Sequence, residues 1–190
     1  MFSFPDLVLA SASRARAELL RGAGLSFKII PAEIDERAYP EDALTLAREK
    51  ALAVSQQHKG ALVIGADQIL QFHGKVLHKA KTPDEALDKL RALSGRTHRL
   101  ISGAAVARDG EILWSDVAQA DMTMRVLDED FLSLYKAAAG DALTSCAGGY
   151  ALEGAGAWLF ETVEGDHSTV LGLPLLPLLG FLKTLYGEGV

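Results

Sequence analysis

Ala61-Leu-Val-Ile-Gly-Ala-Asp-Gln-Ile-Leu70 decides how the rest of this chain is read. Ala61 to Ile64 is an uninterrupted apolar run, the pattern of a strand buried on both faces. Gly65 and Ala66 remove bulk, Asp67 sets a carboxylate where the run breaks, Gln68 adds an amide, and Ile69-Leu70 turn apolar again. A carboxylate there is costly to desolvate unless it is paired, binds a metal or faces a cleft. The stretch alone leaves two readings open. Asp67 is a turn or capping residue at a strand end, or it is a functional acid carried by a buried strand.

Segments on either side alternate in type. Leu7 to Ala10 reads as a short buried strand, followed by Ser11-Ala-Ser13 and a helix from about Arg14 to Arg21. Ala15, Leu19 and Leu20 face inward on that helix, and Gly22 and Gly24 end it. Leu25 to Ile30 alternates like a strand. Glu41 to Gln57 reads as a helix with Leu44, Ala47, Ala51 and Val54 on one stripe and Lys50 off it. Phe72-His-Gly-Lys75 predicts a turn, and Val76-Leu77 a short strand. Thr82-Pro83-Asp84-Glu85 combines an N-cap, a proline at the first helical position and an acid at the third, so a helix runs from there to about Ser94.

Asp109-Gly110 is a hairpin turn between a strand over Arg99 to Ala107 and one returning through Ile112, Trp114 and Val117 towards Met124. Asp128 caps a helix over 129–139 with Phe131, Leu134, Tyr135 and Ala138 on one side. Ala157 to Phe160 reads as a strand, and a last helix begins near Gly172-Leu-Pro174. The alternation predicts an α/β fold. No repeat, low-complexity tract or linker interrupts the 190 residues, which predicts a single domain over 1–190.

A hydrophobic share of 49% and a charged share of 23% suit a soluble globule with a sizeable core. The net charge of -6 argues against a nucleic-acid partner, yet a local cationic pocket is enough for a small anion. The single cysteine, Cys146, excludes an internal disulfide and a multi-cysteine zinc site. Met1-Phe-Ser-Phe-Pro5 has no basic leader pattern, and the apolar run Leu171 to Leu182 is cut by Pro174 and Pro177. A cytosolic, cytoplasmic protein without a membrane partner is expected. The histidines are scattered, none is assigned a catalytic role, and neither a P-loop nor G-x-G-x-x-G is present.

Three further places carry chemistry. Ser11-Ala-Ser13 ahead of Arg14 and Arg16 offers free N–H groups, two hydroxyls and guanidinium at a helix start, an anion site compatible with capping by Ser13. Glu33, Asp35 and Glu36 crowd one loop, where they are either solvated or bridged by a hard divalent cation. Ser145 to Gly156 is rich in glycine and alanine, permits close backbone approach and presents Glu153.

As an ordered set these pieces resemble the Maf family of nucleoside triphosphate pyrophosphatases. The resemblance runs through Leu9-Ala-Ser-Ala-Ser13, Arg16, Glu18-Leu-Leu20, Asp35-Glu36, Glu49-Lys50-Ala51, Gly65-Ala-Asp67, Lys79 and Leu93-Ser-Gly95. It closes with Ala147-Gly148, Glu153-Gly154 and Gly172-Leu-Pro174. It implies a mixed, twisted sheet with flanking helices in two lobes around a nucleotide cleft, as in inosine-triphosphatase-like proteins. It also implies cleavage of a nucleoside triphosphate to monophosphate and pyrophosphate with a divalent metal, magnesium or manganese, often in a homodimer. A link to septum formation and cell division is a further implication.

Carried over residue by residue, Asp67 corresponds to the general base, and Glu36, with Asp35 and Asp67, to metal ligands. Ser11, Ser13, Arg16, Lys50 and Lys79 correspond to phosphate-binding groups. Ala15, Gln68 and Glu153 stand at positions that help choose the base. Many members carry arginine or tryptophan where this chain has Ala15. Gln68 and Glu153 match the branch acting on 7-methyl-GTP, whereas the pyrimidine-preferring branch carries threonine and glutamine there. The alternatives are a dTTP/UTP pyrophosphatase and a nucleotide-binding regulator of division without physiological catalysis.

Overall fold

The computed structural model describes residues 4–187; Met1 to Ser3, part of the N-terminal stretch read above for a leader, lie outside them. The strands are β1 (Leu7–Leu9), β2 (Lys28–Ile29), β3 (Leu62–Phe72), β4 (Lys75–Leu77), β5 (Thr97–Arg108), β6 (Glu111–Met124) and β7 (Phe160–Glu164). The helices are α1 (Arg14–Gly22), α2 (Ala43–Gln57), α3 (Pro83–Leu93), α4 (Glu129–Ala139), α5 (Ala142–Ser145), α6 (His167–Val170) and α7 (Leu175–Gly187). The strands form one seven-stranded sheet in the order β2-β1-β3-β5-β6-β7, with β4 also on β3. The sheet is mixed: β1 runs parallel to β2 and β3, while β4 is antiparallel to β3 and β7 to β6. Among the described residues no helix is long and apolar enough to cross a membrane.

The chain divides into two compact units. The first takes in the chain up to Gln68, Ile101–Ala118 and the chain from Asp166; the second is Ile69–Leu100 with Gln119–Gly165. In the first unit Leu7, Leu9, Leu20, Leu62, Ile64, Val106, Leu173 and Leu178 belong to one core cluster. Burying a side chain of this size contributes roughly 1.5–3 kcal/mol, so this cluster stabilises that unit substantially. In the second unit Leu90, Leu93, Met122, Met124, Leu132 and Leu159 are fully buried.

Local signals act as expected at several boundaries. Thr82 accepts a bond from Glu85 N as the cap of α3, and Asp128 accepts from Phe131 N as the cap of α4. His73 and Gly74 (φ 49° and 76°) turn β3 into β4, and Asp109 and Gly110 (54° and 88°) turn β5 into β6.

Four expectations are corrected. β3 does not end at Asp67 but continues to Phe72, so the turn-or-cap reading of that acid fails. Leu25 to Ile30 yields only β2, whose two residues are both exposed. The helix faces rotate: α1 buries Ala17 and Leu20 rather than Ala15, and α4 buries Leu132 and Tyr135 while Leu134 stays 71% exposed. Ala155–Leu159 is a 3₁₀ turn and the strand starts only at Phe160. A Cβ on Gly156 would lie 2.4 Å from the Ala151 carbonyl oxygen, so the chain doubles back there too tightly for an extended strand.

Candidate active site

Two glycines bring the site together. A Cβ on Gly65 of β3 would sit 2.1 Å from the Ala47 carbonyl oxygen, and one on Gly103 of β5 would sit 2.4 Å from that of Ala43. The backbone of α2 therefore rests directly on the sheet, with Ala43, Ala47 and Ala51 as its contact face. Asp67 lies two residues beyond Gly65 and so points to the same side of the strand. Lys50 lies three residues beyond Ala47 and so belongs to the same side of the helix. The expectation that Lys50 stands off the buried stripe is corrected: it is only 9% exposed, like Asp67.

Lys50 Nζ donates to Asp67 Oδ1 at 2.6 Å and pairs with Glu36 Oε1 at 2.6 Å. Glu36 opens a short 3₁₀ turn, Glu36–Ala38, and its side chain is half exposed. Two carboxylates on one ammonium leave an excess negative charge that Arg16 offsets. Arg16 donates through Nη1 to Ser11 Oγ and to the Ala66 carbonyl, each at 2.9 Å, and through Nε to the Gly172 carbonyl at 2.9 Å. Burial lowers the Arg16 pKa from its ordinary value, and the charges of Asp67 and then Glu36 act against that. At an effective dielectric of about 20, a charge pair at ~4 Å is worth ~4 kcal/mol before desolvation, so such a cluster tolerates its burial only as a set.

The serine loop contributes two more oxygens. Ser13 Oγ caps α1 by accepting from Arg16 N at 3.4 Å, and Ser11 Oγ accepts from Ser13 N at 3.3 Å. Both oxygens act as acceptors here, which leaves the hydroxyl protons for an anion. Arg14 is turned away: its side chain is 90% exposed and pairs with Glu18 at 3.2 Å.

Ser11, Ser13, Arg16, Glu36, Lys50, Asp67 and Gln68 all belong to the first unit. The contacts above join Ser11, Ser13 and Arg16 in one group, which holds the Ala66 carbonyl beside Asp67, and Glu36, Lys50 and Asp67 in another. Asp35 is engaged elsewhere, accepting from Arg37 N at 3.2 Å and pairing with Arg37 Nε at 3.0 Å. Among the described residues no group of three histidine, cysteine or acidic side chains is arranged to hold a metal. Ala15 is partly buried on α1. Lys79 and Glu153 belong to the second unit and are exposed.

Residues without an expected role also enter. The Gln68 amide is bound to Ser102 Oγ and to the carbonyls of Thr169 and Val170. Ser102 was legible as a lone hydroxyl ahead of the small apolar run Gly103 to Ala107. The carbonyls of Thr169, Val170 and Gly172 carry no signature in sequence, since every residue has one.

A profile of the family described as Maf-like protein matches residues 6–185. The chain is 51% identical over 187 residues to a nucleoside triphosphate pyrophosphatase of Nitrobacter winogradskyi, covering 94% of this chain and 93% of that protein. It is 47% identical over 192 residues to a 7-methyl-GTP pyrophosphatase of Rhizobium etli, covering 95% and 96%. Among solved structures, a HAM1 protein from Coxiella burnetii aligns at 19% identity and a TM-score of 0.45, over 65% of this chain and 73% of that one.

Proposed function

This chain belongs to the Maf family, and from that premise we propose that it cleaves a modified purine nucleoside triphosphate, with 7-methyl-GTP as the leading substrate. It is a nucleoside triphosphate pyrophosphatase, a hydrolase. The observation that carries the reading is the Asp67–Lys50–Glu36 cluster, in which a base, a cation and a second carboxylate converge at 2.6 Å. In the proposed reaction Asp67 takes a proton from water as its oxygen bonds to the α-phosphorus. The bond from that phosphorus to the bridging oxygen breaks, and pyrophosphate leaves. Lys50, Arg16 and Lys79 offset the charge on the leaving group, and the Ser11 and Ser13 hydroxyls donate to phosphate oxygens.

A divalent cation is part of the proposal. Asp67 and Glu36 supply hard oxygen donors that already gather on one positive group, the Lys50 ammonium. That donor set fits magnesium or manganese held by one or two carboxylates together with water and substrate phosphates. When bound, the ion supplies charge neutralisation at the phosphates. Asp35, committed to Arg37, has the smaller share of this role.

Support for the base preference comes from Gln68 and Glu153, and from a relative named for 7-methyl-GTP. A carboxylate accepts only, so Glu153 suits the N1–H and amino group of guanine better than the carbonyl-flanked N–H of uracil. Ala15 leaves space where an aromatic side chain could stack, which broadens the substrate range. The active unit is proposed to be the whole chain as one domain, assembled as a homodimer; sedimentation at micromolar concentration tests the dimer.

The deciding experiment is a triphosphate panel with magnesium or manganese, scored for pyrophosphate against orthophosphate. Pyrophosphate release with 7-methyl-GTP faster than UTP or dTTP is expected. Changing Glu153→Gln and Gln68→Thr together shifts kcat/KM towards pyrimidines by about tenfold or more, the value of a charged hydrogen bond. A wild-type preference for UTP or dTTP refutes the base assignment, and orthophosphate as the product refutes the reaction.

A further inference from the structure

The residue after Asp67 has its own network. Gln68 Nε2 lies 3.0 Å from Ser102 Oγ, 2.9 Å from the Thr169 carbonyl and 3.0 Å from the Val170 carbonyl. Carbonyls only accept, so the nitrogen of the amide and not its oxygen must face them. Ser102 Oγ lies 2.8 Å from the same Thr169 carbonyl and gives its one proton there, so its lone pairs face Gln68. The two amide protons of Gln68 are thus shared among three acceptors. No donor remains for a ligand, and what the side chain has left to offer is its oxygen, Oε1.

Ser102 itself is 0% exposed, so a bound nucleotide is out of its direct reach. We propose that Ser102 is a positioning residue for base selection: together with the Thr169 and Val170 carbonyls it holds the Gln68 amide nitrogen-inward, so that Gln68 meets a nucleobase as an acceptor. This inference rests on the pyrophosphatase reading above. The lock also has a mechanical side. The Thr169–Gly172 segment is held at one end through Gln68 and Ser102, and at the other by Arg16, whose second nitrogen holds Ala66. The neighbours of Asp67 on both sides are therefore fastened to one segment. An acceptor fixed in this way favours a base edge carrying N–H groups and disfavours one that presents a carbonyl.

The test is a double-mutant cycle on discrimination. kcat and KM for 7-methyl-GTP and for UTP are measured in wild type, Ser102→Ala, Gln68→Leu and the double variant. Ser102→Ala is expected to lower the ratio of the two kcat/KM values by ~3–10-fold, the net worth of about one hydrogen bond, mainly through KM for the purine. In the Gln68→Leu background it should change that ratio no further. An equal effect on both substrates, or the same loss of discrimination without Gln68, overturns the proposal and leaves Ser102 a packing residue.

Wild-type NMR gives a reading that needs no folded variant. The Gln68 side-chain amide protons should exchange slowly with solvent, and fast exchange overturns the lock. Were the wild type to release no pyrophosphate from any triphosphate, the function would fall while slow exchange would still establish the lock.

Discussion

Lys50 holds Asp67 at 2.6 Å with each charged side chain only about one-tenth exposed, at 11% and 12%. An ammonium and a carboxylate reach such a position because α2 lies on the sheet with glycine and alanine between them. Desolvating both charges is costly, and their attraction offsets that cost only while both are present.

Asp67→Asn keeps size and removes the base, and leaves Lys50 paired with Glu36. Turnover is expected to fall by roughly 10²–10⁴-fold while nucleotide affinity, read by calorimetry, largely survives. Near-normal turnover would remove Asp67 from the mechanism. Lys50→Met instead strands a buried carboxylate and is expected to cost about 3–5 kcal/mol in urea unfolding at neutral pH. Adding Asp67→Asn to Lys50→Met should recover most of that loss, and additive losses would show that the two charges are uncoupled.

Chelation is expected to abolish hydrolysis, and magnesium or manganese to restore it. Glu36→Ala should reduce activity more than Glu33→Ala, because Glu36 reaches Lys50 whereas Glu33 is an exposed loop acid. Full activity in chelator, or equal effects of the two substitutions, would count against the carboxylate pair as a metal site.

Gly65→Ala places a methyl against the backbone of α2, where nothing can yield without moving the helix. A loss of about 3 kcal/mol or more is expected, with activity falling alongside as Lys50 shifts. Gly22→Ala is the control: nothing lies within 4 Å of its added Cβ, in the last turn of α1. There alanine should be neutral or stabilise by up to ~1 kcal/mol. Equal melting temperatures for the two variants would show that α2 is not seated on Gly65.

His98 is 2% exposed, and burial pushes its pKa from 6.5 down to about 4, against a smaller opposing effect of Asp121. Its Nε2 meets the Tyr150 hydroxyl at 2.5 Å, and its Nδ1 has no partner. The unfolded chain binds a proton that the folded one refuses, so stability is full above about pH 6.5 and declines as pH falls towards about 4. The loss amounts to ~3 kcal/mol at most. Urea unfolding between pH 7 and pH 4 should show this slope, and His98→Gln should flatten it. An unchanged slope in that variant would assign the acid sensitivity to other groups.

Much of the chain's local structure is legible in its sequence, because the signals are short-range. Asp109-Gly110, Thr82-Pro83 and Asp128 act within a few residues of themselves, and backbone sterics and capping bonds fix their meaning wherever they sit. The apolar run at Ala61 likewise identified β3 and its acid, and the ordered motifs identified the family. What tertiary structure decided is which side chains meet. Lys50 reads as a surface lysine until α2 settles on Gly65 and Gly103 and carries it over Asp67. Gln68 reads as a free amide until Thr169 and Val170, more than a hundred residues on, claim its protons. Arg16 reads as a free cation until Gly172, 156 residues away, accepts from it. Periodicity specifies a face but not its partner, and buried polar groups take their partners from whatever backbone the fold brings within about 3 Å.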